Sequence, residues 1–234
     1  MTYLSPKTII VDFLRVHLTD PRDRAEDTHS ESLTATTCKV NNFEMTPPSG
    51  SVSCITSLEV NSTTKNKWKD YYWLERTQTI VFYSDLTNGD TIDITYKYGS
   101  TNWIFPGKAQ KKLSGSSFPR INILIPASVG RRLGNYEAPV NAAIQFQIDV
   151  WCKEKQDGQI FTIDSRAYTG DELGEYLAYK ITEAFEDNEE DLFPALQNYT
   201  PNGMPRDLPF DEEMQCHHKA VECMMTGLEL GRIS

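Results

Sequence analysis

Apolar and polar residues alternate most cleanly between Pro119 and Glu154. Ile121, Ile123 and Ile125 flank Asn122 and Leu124; further on, Ile144, Phe146, Ile148 and Val150 alternate with Gln145, Gln147 and Asp149. A period of two sustained over this many positions predicts two strands, each with one buried and one wet face. A connection marked by Gly, Arg and Pro, Gly130 to Pro139, joins them. Glu213 to Gly231 has the same rhythm. His217, Lys219, Val221, Cys223 and Met225 alternate with His218, Ala220, Glu222 and Met224, so a long closing strand is expected.

Helical spacing occurs twice. Ser5-Pro6 sets a cap ahead of a proline at the first helical position, and Ile10, Phe13, Leu14 and His17 follow at i, i+3, i+4 and i+7. Asp20-Pro21 ends this helix. Arg22 to Ser32 is charged and nearly free of apolar residues, which predicts an exposed linker. The second helix opens on Thr169-Gly170-Asp171-Glu172, a capping-box pattern, and Leu173, Tyr176, Leu177, Ile181 and Ala184 line one face of it. Glu186, Asp187, Glu189, Glu190 and Asp191 fall near its carboxyl end. Negative charge there opposes the helix dipole by about half a kcal/mol, so the run is expected as an exposed loop. Asn198 to Phe210, with three prolines and a glycine, is also expected as a loop.

Leu33 to Pro106 differs in texture, being rich in Thr, Ser, Asn and aromatics. Val52, Cys54, Leu58 and Val60 sit at even spacing, and Ile80 to Tyr83 is a short β-rich run. Asn88-Gly89-Asp90 signals a turn, after which Ile92, Ile94, Tyr96 and Tyr98 alternate with Asp93, Thr95 and Lys97. The expected fold is α+β: a mostly antiparallel sheet backed by helices, drawn from residues 1–32 and 107–234. An all-β domain, sandwich- or barrel-like, is inserted over residues 33–106. Trp103-Ile104-Phe105-Pro106 reads as a strand end at the boundary. Gly107 to Ser117, with Lys108, Lys111 and Lys112, reads as a basic, flexible connector.

Composition narrows the function classes. The 234 residues, 39% hydrophobic and 11% aromatic, can fill one large core or two smaller ones. A net charge of −10 argues against a surface that wraps nucleic acid and suits one along which DNA does not stick. Met1 to Leu18 contains Lys7, Asp12 and Arg15, which a signal h-region would not tolerate. No apolar run approaches the ~20 residues of a membrane span. Five scattered cysteines fit a reducing compartment better than a disulfide framework.

Little in the chain suggests reaction chemistry. His217 and His218 point to opposite faces of a strand. Cys216, His218 and Cys223 hold thiolate and imidazole ligands, but no second Cys-x-x-Cys completes a zinc set. The acidic run lacks the oxygen-ligand alternation of a calcium loop, and neither a phosphate-cradling nor a dinucleotide glycine motif is present. No catalytic, cofactor-binding or metal-ligating residue is therefore assigned, and the expectation is a protein that is not an enzyme. Trp68, Tyr71, Tyr72 and Trp73 admit two readings: a platform for sugars, or aromatics that close a small sandwich or meet a protein partner.

The order of elements carries a resemblance. An opening helix, a hairpin ending Ile144-Gln145-Phe146-Gln147-Ile148-Asp149-Val150-Trp151, a helix from Gly170 to Phe185, and a closing strand with His217-His218-Lys219 and Thr226-Gly227-Leu228-Glu229 resemble the tail terminator and tail-completion proteins of long-tailed bacterial and archaeal viruses. It covers Thr2 to Asp20 and Phe118 to Ser234. The resemblance implies a virion protein, assembled in the host cytoplasm, whose copies form a hexameric ring at the head-proximal end of the tail tube. That ring ends tube growth and joins tail to neck, with DNA passing through its lumen without sequence-specific binding. Its partners would be sister copies, the tail tube protein and neck or head–tail connector proteins, with no membrane. Candidate interface residues are Arg131 and Arg132 and the acidic Glu186, Asp187, Glu189, Glu190 and Asp191, as opposites of one another or as contacts with tube and neck proteins, together with the aromatic cluster at Trp68, Tyr71, Tyr72 and Trp73. The residue 33–106 insertion departs from the compact family pattern. Gly89-Asp90-Thr91-Ile92-Asp93-Ile94-Thr95-Tyr96 within it resembles immunoglobulin-like modules of virion proteins. The alternatives are a head–tail connector or neck protein on the same scaffold, or a glycan- or receptor-binding β module.

Overall fold

The computed structural model describes residues 5–36, 42–108, 115–132, 140–153, 161–163, 166–168, 170–193 and 195–228; for 127–132, 140–142 and 227–228 it describes the backbone alone. The chain is mostly β, in antiparallel sheets, with two α-helices. It divides into two compact units, one of residues 23–102 and one of residues 1–22 and 103–234.

In the 23–102 unit, β1 (Asp27–Thr34), β3 (Ser51–Val60), β4 (Thr63–Thr64) and β7 (Thr91–Gly99) form one sheet in the order β1-β7-β3-β4. A second sheet, β2-β6-β5, uses Asn42–Glu44, Thr79–Phe82 and Tyr71–Leu74. Their inward residues make a common core, with Val52, Ile55, Leu58, Ile92, Ile94 and Tyr96 from the first sheet and Tyr71, Trp73, Ile80 and Phe82 from the second. The turn into β7 forms as its residues predict. Gly89 takes φ +94°, Asp90 N–H donates to the Thr87 carbonyl at 3.0 Å, and Asp90 Oδ2 accepts from Thr87 N–H at 2.7 Å.

The expected linker over Arg22 to Ser32 is in part β1, an edge strand paired along its length with β7 from Asp27↔Tyr98 to Thr34↔Thr91. His29, Glu31 and Leu33 turn half-buried toward Tyr96, Ile94 and Ile92, while Thr28, Ser30 and Ser32 face water. An edge strand with so few apolar residues on either face has no hydropathy signal, so periodicity could not find it.

The other unit begins with α1 (Pro6–His17), started by Pro6, with Ser5 at the N-cap position but making no side-chain capping hydrogen bond. Ile9, Ile10, Phe13 and Leu14 are buried, as the spacing required. The same unit contains β8 (Ile104–Pro106), β9 (Arg120–Arg132) and β10 (Val140–Lys153), a small hairpin of β11 (Phe161–Ile163) and β12 (Arg166–Tyr168), and α2 (Gly170–Asn188). It closes with β13 (Leu196–Pro201), β14 (Arg206–Asp211) and β15 (Cys216–Leu228). The main sheet runs β13-β15-β10-β9-β8, with β14 also on β15 and only β8 parallel to its neighbour.

One face of this sheet is apolar. Ile144, Phe146, Ile148 and Val150 on β10 lie beside Val221, Cys223 and Met225 on β15 and Ile121 and Ile123 on β9, all buried. The helices cover it, α2 over β10 and β15, α1 over β8 and β9, and Phe13 stacks on Phe185 at 5.0 Å between them. Arg15 is buried with them and donates to the Ile104 carbonyl at 2.7 Å.

Three expectations for this unit are corrected. Ile125 does not continue the buried row, because Ile125 and Pro126 form a bulge opposite Phe146, between the pairs Gln147↔Leu124 and Gln145↔Ala127. Proline brings no N–H to the ladder, and bulges are where strands accommodate that. Asn198 to Phe210 is not a loop but most of β13 and β14, which pair with opposite ends of β15. Its prolines are tolerated because both strands lie on the sheet edge. The acidic run is not a loop either. Glu186 and Asp187 finish α2, and Glu189, Glu190 and Asp191 continue as a 3-10 turn. Buried Phe185 and Leu192 hold both ends of the run against the body, and that burial outweighs the small dipole penalty. Residues 133–139 of the expected connection, 109–114 of the basic connector, Thr169 of the capping box and the end of the closing segment lie outside the described residues.

Candidate functional site

Alternation along β10 and β15 sends a second set of side chains to the face away from the helices: Gln147, Asp149 and Trp151 opposite Glu222, Ala220 and His218. Trp151 and His218 are cross-strand partners and stack at 3.7 Å with 14° between their rings. Asp149, 5% exposed, is held from two sides. Gln147 Nε2 donates to its Oδ1 at 2.8 Å, and His218 Nε2 approaches the same oxygen to 3.1 Å without the alignment of a hydrogen bond.

A cleft of about 640 Å³ opens over these residues. Leu124, paired with Gln147, and the bulged Ile125 and Pro126 line it, Met214 adds an apolar wall, and Lys7, Lys108, Asp149 and Asp211 supply both signs of charge. Beside it, the fully buried Asn122 donates to the Gly107 carbonyl at 2.7 Å and accepts from Arg120 Nε at 3.0 Å, which fixes the chain that leads to Lys108. This arrangement can recognise a polar, charged group against an aromatic surface. Sequence reasoning passed over it, because Gln147 and Asp149 read as the ordinary wet face of a strand.

A second charged cluster lies on the helix side. Lys219, 3% exposed, meets Asp171 at 2.6 Å and Glu175 at 3.7 Å on α2, and bonds Asp207 on β14. Burial alone would pull the Lys219 ammonium down, but hydrogen bonds to Asp171 and Asp207 and their charges overcome it and leave its pKa raised. A charge-satisfied lysine of this kind ties elements together.

Three buried cysteines of this unit are held in the thiol form. Burial pushes the Cys216 and Cys223 thiols up to about 12 and raises Cys152 as well. His218 lies on the open face and Cys223 on the helix face, so Cys216, His218 and Cys223 do not converge, and among the described residues no His, Cys, Asp or Glu group is placed to hold a metal ion.

The candidate interface residues separate into three groups. Arg131 and Arg132 end β9, opposite Asn141 and Val140. Glu186, Asp187, Glu190 and Asp191 are exposed on the end of α2 and the turn after it. Two of the acids also work within the fold. Asp191 meets His17 at 3.0 Å, and Glu189 accepts from Tyr199 N–H at 2.7 Å, where a bulge in β13 takes that group out of the ladder. For the aromatic cluster, burial favours the reading in which the rings close a small sandwich over the reading as a sugar platform. Trp68, Tyr71 and Trp73 are buried at 2–4% exposure, Tyr71 and Trp73 in the unit's own core, while half-buried Tyr72 packs against Tyr83 at 5.4 Å. Three rings sealed by their own unit leave no platform for a sugar.

No protein-family model, curated protein or solved structure matches this chain.

Proposed function

We propose that this chain is a structural virion protein whose copies form a ring at the head-proximal end of a viral tail tube. The ring ends tube growth and joins tail to neck while DNA passes through its lumen. In this reading the 1–22 and 103–234 unit is an α+β core, and residues 23–102 form a β-sandwich inserted after the opening helix.

One observation carries the proposal: the hairpin β9–β10 and the closing strand β15 are neighbours in one sheet, with the first helix and the late helix packed on the same face. That is the arrangement implied by the tail terminator resemblance. A heterologous ring needs two different complementary surfaces on each copy. The exposed carboxylates Glu186, Asp187, Glu190 and Asp191 offer one, and the strand end carrying Arg131 and Arg132 is the proposed other. The net charge of −10 suits a lumen that must not hold phosphate. The buried, raised thiols and the carboxylate-paired Lys219 support a scaffold rather than an enzyme.

The test is particle mass in solution with negative-stain images, alone and with purified tail tubes. A six-fold ring, or decoration of one tube end, is expected. A monomer that binds neither tubes nor neck components would overturn the reading.

A further inference from the structure

We propose that the cleft over Asp149 is a binding site for the guanidinium group of arginine. The proposal goes beyond the ring reading and does not depend on it.

The starting point is an unfinished contact. Both approaches to Asp149, from Gln147 and from His218, fall on Oδ1, and Oδ2 accepts no hydrogen bond from the described residues. The side chain is 7% exposed and lines the cleft. The carboxylate thus keeps one oxygen open to the cleft and without a donor among the described residues, free to accept from a cation or donor that enters it. Lys7 and Lys108 line the same cleft, yet neither forms an ion pair among the described residues. Trp151 provides the second feature. Its indole lines the cleft, its ring is backed by His218, and its Nε1–H is buried without an acceptor.

Among biological cations the planar guanidinium fits this pair of features best. It donates in a fork to a carboxylate and stacks on an aromatic ring, whereas an ammonium is a strongly hydrated point charge. The Gln147 amide presets the carboxylate, which lowers the ordering cost of binding. Leu124 and Met214 give the arginine methylenes an apolar wall. The two rim lysines oppose a bare cation and favour an anionic group beside the guanidinium. The ligand is therefore an arginine accompanied by a carboxylate, either its own as the free amino acid or that of an acidic neighbour in a protein segment.

The experiment follows the Trp151 indole N–H resonance of the whole chain, assigned with Trp151→Phe, during titration with L-arginine, the blocked dipeptide acetyl-Arg-Asp-amide and L-citrulline. A saturable shift with arginine or the dipeptide and none with citrulline is expected, because citrulline keeps the shape and loses the charge. Tighter binding of the dipeptide assigns the site to a protein partner, and tighter binding of arginine assigns it to the free amino acid. Asp149→Asn should weaken the binding by about tenfold or more. Equal shifts with citrulline, unchanged affinity in a folded Asp149→Asn protein, or no saturable shift with any probe overturns the site. Should Asp149→Asn not fold, the arginine–citrulline comparison on the unaltered protein decides alone.

Discussion

Lys219 on β15 reaches Asp171 on α2 at 2.6 Å from a position only 3% exposed, while the aspartate remains about half in water. The lysine is the fixed member of the pair, and the carboxylates of Asp171, Glu175 and Asp207 converge on it from two elements. It joins the amino end of α2 and the edge strand β14 to the centre of the sheet.

Replacing it should loosen all three. Lys219→Met keeps the stem and removes the charge, leaving three carboxylates facing one another. Because those carboxylates are exposed and can rehydrate, the expected cost is about 1–3 kcal/mol rather than that of a fully buried pair. Urea unfolding should show a lower midpoint at unchanged slope. The folded-state pKa of Lys219 is raised above its ordinary 10.5, so its stabilisation is complete below that value and is lost as pH climbs through the raised one. An alkaline limb in the stability profile should therefore be present in the parent protein and smaller in Lys219→Met.

Gly174 makes room for that lysine. A Cβ there would come within 3.2 Å of Lys219 Cγ. Gly174→Val, with two further carbons, should destabilise by about 1–3 kcal/mol in a thermal melt. Gly174→Ala should cost much less, since a helix gain of about 1 kcal/mol offsets the crowding.

Asp90 holds the turn into β7. Asn61 Nδ2 donates to it at 2.7 Å, and that bond, followed by the one from Thr87 N–H, holds its pKa below the ordinary 3.8. A depressed carboxyl stabilises above its unfolded value and stops doing so as pH falls through the folded one. An NMR titration should place the Asp90 carboxyl below 3.8, and Asn61→Ala should move it back toward that value. An unshifted Asp90 in the parent protein would contradict the turn geometry.

Trp73 separates the two readings of the aromatic cluster. As a core ring, its replacement by alanine should cost about 3–5 kcal/mol in chemical denaturation. A surface platform would instead leave the unfolding midpoint nearly unchanged.

Several features were legible from the residues alone. The helix from Pro6, the helix over Gly170 to Phe185, the hairpin strands and the closing strand all announced themselves by apolar spacing, because each buries one face and leaves the other wet. The Asn88-Gly89 turn did so by its chemistry. Periodicity cannot register an edge strand whose side chains are mostly polar, so β1 read as linker and β13 and β14 as loop. It is equally blind to a bulge, which appears only when Ile125 and Pro126 fail to match the neighbouring strand.

The sequence by itself determined which faces would be buried, since that follows from hydropathy at fixed spacing. Only the tertiary structure decided what the polar residues do. Gln147, Asp149 and Trp151 share one face of β10 by alternation, but their meeting with His218 on β15 depends on a cross-strand register that no local pattern encodes. The acidic run was decided in the same way, by burial of Phe185 and Leu192 at its two ends.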